Sequence, residues 1–181
     1  MEWHVHDRRA VYRSPWVEVW LDDVELPGGQ RIEHHELRFP RASVTAVVVD
    51  GDRVLLLWRH RFITNAWGWE VPAGWADQGE NPEDAVRREI EEETGWRAAT
   101  VTPMTSYNAI SGIGDMRFTA FLATDVTHIG EPADKTEATR VEWHPLGDIP
   151  TLAAAGQLLD GPSLTALSYF LGVHSRNEVC R

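Results

Sequence analysis

In residues 11 to 38 the apolar side chains Val17, Val19 and Leu21 recur at every second position. Pro27-Gly28-Gly29 then marks a turn before a second stretch, Arg31 to Leu37. A period of two lines one face of a strand with apolar groups, so this segment is predicted to be β structure. Two apolar runs follow, Val44 to Val49 and Val54 to Trp58, on either side of Asp50-Gly51-Asp52. That spacing predicts a hairpin. Trp67 to Val71 reads as a short strand ended by Pro72. A helix is predicted at about 82–94, with strands near 101–107, 117–124 and 139–143. Two short helices are predicted from Leu146 to Leu159 and from Ser163 to Leu171. In the second, Leu164, Leu167, Phe170 and Leu171 repeat at helical spacing. Strands outnumber helices, with one helix central and the others at the end. That order favours a mixed α/β sandwich.

The central helix has clear punctuation and a misplaced charge pattern. Asn81 suits its N-cap, Pro82 its first turn and Gly95 its left-handed C-terminal cap. Glu83 and Asp84 complement the positive end of the helix dipole. Glu91, Glu92 and Glu93 do the reverse, each at a cost of about 0.3–1 kcal/mol. Glu89 and Glu93 also repel each other at a spacing of four. Neutralising one of these charges is therefore expected to leave the helix as stable or slightly more so. A local rule broken this heavily often marks function. Glu89, Glu92 and Glu93 fall at i, i+3 and i+4 and share one face, whereas Glu91 points elsewhere. Three carboxylates on one edge of a packed helix suit a hard divalent cation. Arg88, one turn before Glu92, can hold a carboxylate. The alternative at this point is a solvated acidic face.

Composition narrows the function classes. The chain has 181 residues and a formal net charge of -11. Such a surface repels nucleic-acid backbones, so DNA and RNA are not expected partners. No apolar run approaches the roughly 18 residues of a membrane span. The segment Met1 to Asp7 does not read as a signal peptide, and Cys180 is the only cysteine, so no internal disulfide is available. A cytoplasmic location is expected. Nine tryptophans are many for this length. Trp16, Trp20, Trp67 and Trp69 are candidates to stack a base, against the commoner use of indoles in cores and interfaces. The eight histidines show no zinc spacing and read as surface residues.

The segment from Gly74 to Trp96 resembles the Nudix box. The fixed positions of that pattern fall on Gly74, Glu80, Arg88, Glu89, Ile90, Glu92, Glu93, Gly95 and Trp96, and every one matches. So many fixed positions at fixed spacing make the match specific. Glu70-Val71-Pro72-Ala73-Gly74 is similar to the segment preceding the box in the ADP-ribose pyrophosphatase branch. Trp58-Arg59-His60-Arg61 looks like that branch's basic segment. The Asp160-Gly161-Pro162-Ser163 turn into a closing helix is similar too.

The resemblance implies a Nudix-type α/β/α sandwich with a mixed sheet over 42–181. It also implies an antiparallel β extension over 1–41 that makes a homodimer. It implies Glu89, Glu92, Glu93 and the Ala73 carbonyl as ligands of Mg2+, with Mn2+ as the alternative. Arg88 would orient the carboxylates. Arg59, Arg61 and Glu70 would contact the substrate, while Gly74, Glu80 and Gly95 would shape the loop. A general base is needed, and Glu137, in the polar loop before Trp143, is the candidate. The implied reaction splits the diphosphate of ADP-ribose or another nucleoside diphosphate sugar, giving a nucleoside monophosphate and a phosphorylated partner. Rival readings are a Nudix pyrophosphatase for nucleoside triphosphates or dinucleotides, and a non-catalytic nucleotide sensor. The complete acidic set disfavours the sensor. The loop from Asn108 to Asp115 lacks the branch's Ser-Pro-Gly-like turn, with Ile110-Ser111-Gly112 in its place. A nucleoside diphosphate sugar other than ADP-ribose is therefore expected to compete as substrate.

Overall fold

The computed structural model describes residues 2–133 and 138–174. Among them, strands β1 (His4–Arg13), β2 (Glu18–Glu25) and β3 (Arg31–Arg38) form an antiparallel three-stranded sheet. A seven-stranded sheet follows. It contains β4 (Ser43–Asp50), β5 (Arg53–Arg61), β6 (Ala66–Glu70), β7 (Ala73–Trp75), β8 (Trp96–Asn108), β9 (Arg117–His128) and β10 (Arg140–Pro145). Its main order is β10-β5-β4-β9-β8, with β6 paired to β5 and β7 to β4. The β4–β9 pair is parallel and the others are antiparallel, so the sheet is mixed.

Alternation along β4 and β5 sends apolar side chains to both faces, and each face is covered by helix. On one side Val44, Ala46, Val48, Leu55 and Phe121 pack against Ala85, Val86 and Ile90 of α1 (Pro82–Thr94). On the other, Val47, Val54 and Leu56 meet Ile149 of α2 (Ile149–Ala154) and Ala166 and Leu167 of α3 (Gly161–Tyr169). The result is the expected α/β/α sandwich. Burying a Val or Ile side chain stabilises by about 1.5–3 kcal/mol. Val86 and Ile90 together therefore outweigh the dipole cost of a few acidic residues at the end of α1.

Several differences from the sequence reading have local causes. The first strand begins at His4, ahead of the expected 11, and all of its residues are exposed, so no apolar alternation marks it. The helix expected over 146–159 is a 3-10 turn at Leu146–Asp148 followed by α2, which ends at Ala154. Gly156 then turns left-handed at φ 69°. His144 is partly buried against Trp69, with ring centroids 4.3 Å apart, and is not a surface residue. Burial pulls its pKa below the usual histidine range.

The end of α1 is held from outside. Gly95 has φ 70° and its N–H donates to the Glu91 carbonyl. An added Cβ there would lie 2.0 Å from the Gly130 carbonyl oxygen. Gly95→Ala is therefore expected to destabilise the chain by at least about 1–3 kcal/mol, the usual cost of a left-handed non-glycine residue. An unchanged melting temperature would contradict that packing.

Candidate active site

Three elements converge beside α1. Strand β5 carries Arg59 and Arg61, β6 ends on Glu70, and β7 carries Ala73 and Gly74. Residues 59 and 61 share a face of β5, and Arg59 and Leu57 sit opposite Gly68 and Glu70. The three charged groups therefore project to one side of the β5–β6 hairpin.

Glu93 lies at the inner end of the site and is 3% exposed. Its Oε1 accepts from Arg59 Nη2 at 2.9 Å, and its Oε2 accepts from the Ala73 backbone N–H at 3.0 Å. Arg59 is equally buried, with Nε 3.6 Å from Glu70 Oε2. Glu70 in turn accepts from Arg61, at 2.9 Å to Nε and 2.5 Å to Nη2. These contacts make a chain Glu93–Arg59–Glu70–Arg61 running from the core outward. Only Arg61, whose side chain is about half exposed, reaches solvent. The hydrogen bonds to Glu70 push the Arg61 pKa up, so its charge is fixed.

This burial bears on two expectations. Arg59, a candidate substrate contact, is enclosed between carboxylates at 3% exposure. Neutralising Glu93 was expected to be harmless to stability. Its charge is instead paired in a buried site, where losing one partner strands the other.

Glu92 faces outward from the same helix, whereas the Glu89 carboxylate is mostly covered, tucked over Gly74. Arg88 Nη1 donates to Glu89 at 2.8 Å and to Glu92 at 3.1 Å. Its other nitrogens bind Glu80, at 3.2 and 3.1 Å, and Nη2 also donates to the Trp75 carbonyl at 3.0 Å. Arg88 thus ties the acidic face to the loop before α1, and its pKa is raised, first by Glu80. Glu80 is held below the usual carboxylate range by Arg88 and by the Asp77 N–H at 2.8 Å. Glu91 points away and pairs with Arg97 at 2.7 Å. The dipole penalty of the acidic end is therefore offset by Arg59, Arg88 and Arg97, of which two come from other elements. The Ala133 N–H also caps the Glu92 carbonyl at 2.9 Å. Glu137 itself lies outside the described residues.

Gly74 explains its own place in the pattern. A Cβ there would sit 2.1 Å from Cδ of Glu89, in the space the carboxylate occupies. Gly74→Ala is expected to push Glu89 aside and lower turnover about a hundredfold, the scale of an ångström-sized misplacement. Far-ultraviolet circular dichroism should stay native. Wild-type turnover in that variant would contradict the role given to the contact.

Among the described residues, no group of three or more His, Cys, Asp or Glu side chains is gathered as a ready metal cage. Glu89 and Glu92 turn to Arg88, and Glu93 turns to Arg59 and the Ala73 N–H. The donor chemistry nevertheless fits a hard cation. Carboxylate oxygens dominate, they lie on one helical face, and the Gly74 loop leaves them room.

Beside this face runs a cleft of about 350 Å³, lined among others by Arg61, Ala73, Gly74, Trp75, Phe118 and Asp160. Asp160 was seen in the sequence only as part of a turn. It caps α3, accepting from the Ser163 N–H at 2.8 Å and from the Ser163 hydroxyl at 2.6 Å. The segment from Ile110 to Asp115, which lacks a Ser-Pro-Gly-like turn, braces the three-stranded sheet. Leu37 N–H donates to the Ile113 carbonyl at 2.8 Å, and Asp115 N–H to the Leu37 carbonyl at 3.1 Å. Of the tryptophans, Trp69 is in the core. The guanidiniums of Arg13 and Arg38 lie over Trp20, and that of Arg41 lies over Trp16, which stays exposed.

This fold and acidic helix have known counterparts. The Nudix domain pattern matches residues 39–165, and a nucleoside diphosphate sugar hydrolase N-terminal domain matches 3–37. The chain belongs to the Nudix family and is a hydrolase, acting on nucleoside-diphosphate-linked compounds. Members of this family generally use a divalent metal ion. Among its relatives is a CMP-5'-(N-acetyl-N-hydroxy-3-aminopropyl)phosphonate hydrolase of Streptomyces rubellomurinus, 36% identical, with 96% of this chain and 84% of that one covered. An ADP-ribose pyrophosphatase of Bacillus subtilis is 27% identical over 90% of this chain and 89% of its own. The crystal structure of an ADP compounds hydrolase shares the fold, with a TM-score of 0.86 at 20% identity, covering 98% and 96% of the two chains. Among the described residues no helix is long and apolar enough to cross a membrane.

Proposed function

We propose that the chain is a Mg2+-dependent diphosphatase that cleaves a nucleoside diphosphate joined to a sugar or comparable group, between the two phosphorus atoms. The observation that carries this reading is the acidic face of α1, locked by Arg88 and Glu80 beside a cleft into which Arg61 is aimed by Glu70. Glu89, Glu92, Glu93 and the Ala73 carbonyl would hold Mg2+, or Mn2+ in its place. Such an ion, when bound, supplies charge neutralisation at the phosphate oxygens and makes a water more acidic.

The chain's own groups have distinct tasks. Arg61 holds the phosphates as a charge-assisted donor. Arg59 is a positioning residue that fixes Glu93 and Glu70. Arg88 orients Glu89 and Glu92. Glu137 is the proposed general base. The relative named for a CMP-linked phosphonate supports a substrate other than ADP-ribose. So does the 110–115 loop, which is committed to bracing β3.

A panel of nucleotide sugars, dinucleotides and triphosphates with magnesium tests the reading. A nucleoside diphosphate conjugate should be turned over fastest. A triphosphate as the best substrate would refute it.

The protein is also proposed to be a homodimer built through the three-stranded sheet. Every residue of β1 is exposed and its outer edge is unpaired among the described strands, while Val5, Val11, Tyr12 and Trp16 are large exposed apolar groups. An open edge of this length invites association. Light scattering at micromolar concentration should give about twice the chain mass of 20.5 kDa. A monomer mass would count against it.

A further inference from the structure

A second and larger cavity adjoins the cleft. It measures about 640 Å³ and lies between the β5–β6 hairpin and the segment from Leu159 to Gly161. That size is within the usual range for small-molecule sites. Arg61 and Asp160 line both spaces, so the two are compartments of one depression with Arg61 at their junction.

The wall chemistry of this compartment differs from that of the acidic face. Phe62, Ile63, Trp67 and Leu159 supply apolar surface. Phe62 and Ile63 are 81% and 84% exposed, and neither contributes to the core. The turn that presents them is held in shape by its own bonds. Asn65 N–H donates to the Phe62 carbonyl at 3.3 Å, and Asn65 adopts a left-handed φ of 49°. The Thr64 hydroxyl donates to the Arg61 carbonyl at 3.3 Å, and His60 Nε2 meets Asn65 Oδ1 at 3.2 Å. Trp67 is supported from behind by Trp58, with ring centroids 6.2 Å apart and planes 18° from parallel. A braced apolar lip beside a phosphate-directed guanidinium suits a ligand that is anionic at one end and apolar at the other.

We propose that this compartment binds the group attached to the distal phosphate, and that it selects a group with aromatic or aliphatic surface over a bare pentose. The inference rests on the diphosphatase reading above and deepens it. Arg61 holds the phosphates at the junction, the scissile bond lies toward α1, and the departing group lies on Phe62, Ile63, Trp67 and Leu159. A free pentose offers this surface mostly hydroxyls.

The test compares two substrates, ADP-ribose and an adenosine diphosphate esterified at its distal phosphate with 2-phenylethanol. The wild-type enzyme is compared with Phe62→Ala/Ile63→Ala, whose side chains are too exposed to hold the fold. Wild-type kcat/KM should favour the phenylethyl ester. In the double variant the ratio of the two values should fall at least tenfold, chiefly through KM for the ester. An unchanged ratio overturns the inference while leaving the diphosphatase reading intact. So does an equal loss on both substrates accompanied by a change from dimer to monomer mass, because the lip then contacts a second copy of the chain. If neither diphosphate is cleaved while a triphosphate is, the diphosphatase reading fails and takes this inference with it.

Discussion

Glu89→Gln should lose about a thousandfold in turnover, with a melting temperature close to wild type. The figure corresponds to roughly 4 kcal/mol of transition-state stabilisation, the scale on which a cation acts at phosphate oxygens. Stability should survive because glutamine keeps the size of Glu89, which shares Arg88 with Glu80 and Glu92 and belongs to a helix end whose dipole disfavours its charge. Excess chelator should have the same effect on the wild-type enzyme, and added magnesium should restore only the wild type. Turnover within tenfold of wild type in the variant would remove Glu89 from the reaction.

The second large effect is on folding. Arg59→Met should lower the unfolding free energy by about 3–5 kcal/mol, because it leaves Glu93 without its guanidinium in a buried site. Glu93→Gln should also destabilise, and the double variant should be less damaged than the sum of the two singles. Denaturant titration of all four proteins measures this coupling. Additive losses would show that the 2.9 Å pair contributes nothing specific. Loss of activity in Arg59→Met is expected too, but through a displaced Glu93 and Glu70. Arg61→Ala should weaken substrate binding directly, because its half-exposed side chain lines the cleft, and should also cost stability by taking the closest hydrogen-bond partner from the buried Glu70 carboxylate.

The contrast between these two arginines shows how far the sequence could be read. Trp58-Arg59-His60-Arg61 gives both arginines the same face of a strand, and nothing local separates them. Register does. Position 59 lies opposite Gly68, within the hairpin, and position 61 lies opposite Ala66, beside its turn. Burial is a property of that pairing and of the helix laid over it, so one-dimensional spacing could not assign it. The same holds for Asp160, which is legible as a helix cap before a proline but not as a wall of the cleft. By contrast α1 was legible to its end residues, because Asn81, Pro82 and Gly95 act through neighbours in the chain. The β4–β5 hairpin was equally plain, since Gly51 turns left-handed at φ 62° between two apolar runs. The three-residue β7 was missed because it follows Pro72 directly and forms only by pairing with β4.

Cleavage between the two phosphorus atoms of a nucleoside diphosphate conjugate is the claim on which the rest depends. Hydrolysis in oxygen-18 water with magnesium, followed by mass analysis of the products, tests it most directly. The account predicts a nucleoside monophosphate and a phosphorylated partner, one of them carrying a single heavy oxygen, and no heavy oxygen in any sugar hydroxyl. Release of unphosphorylated partner, or inorganic phosphate or pyrophosphate from a triphosphate as the fastest reaction, would contradict it.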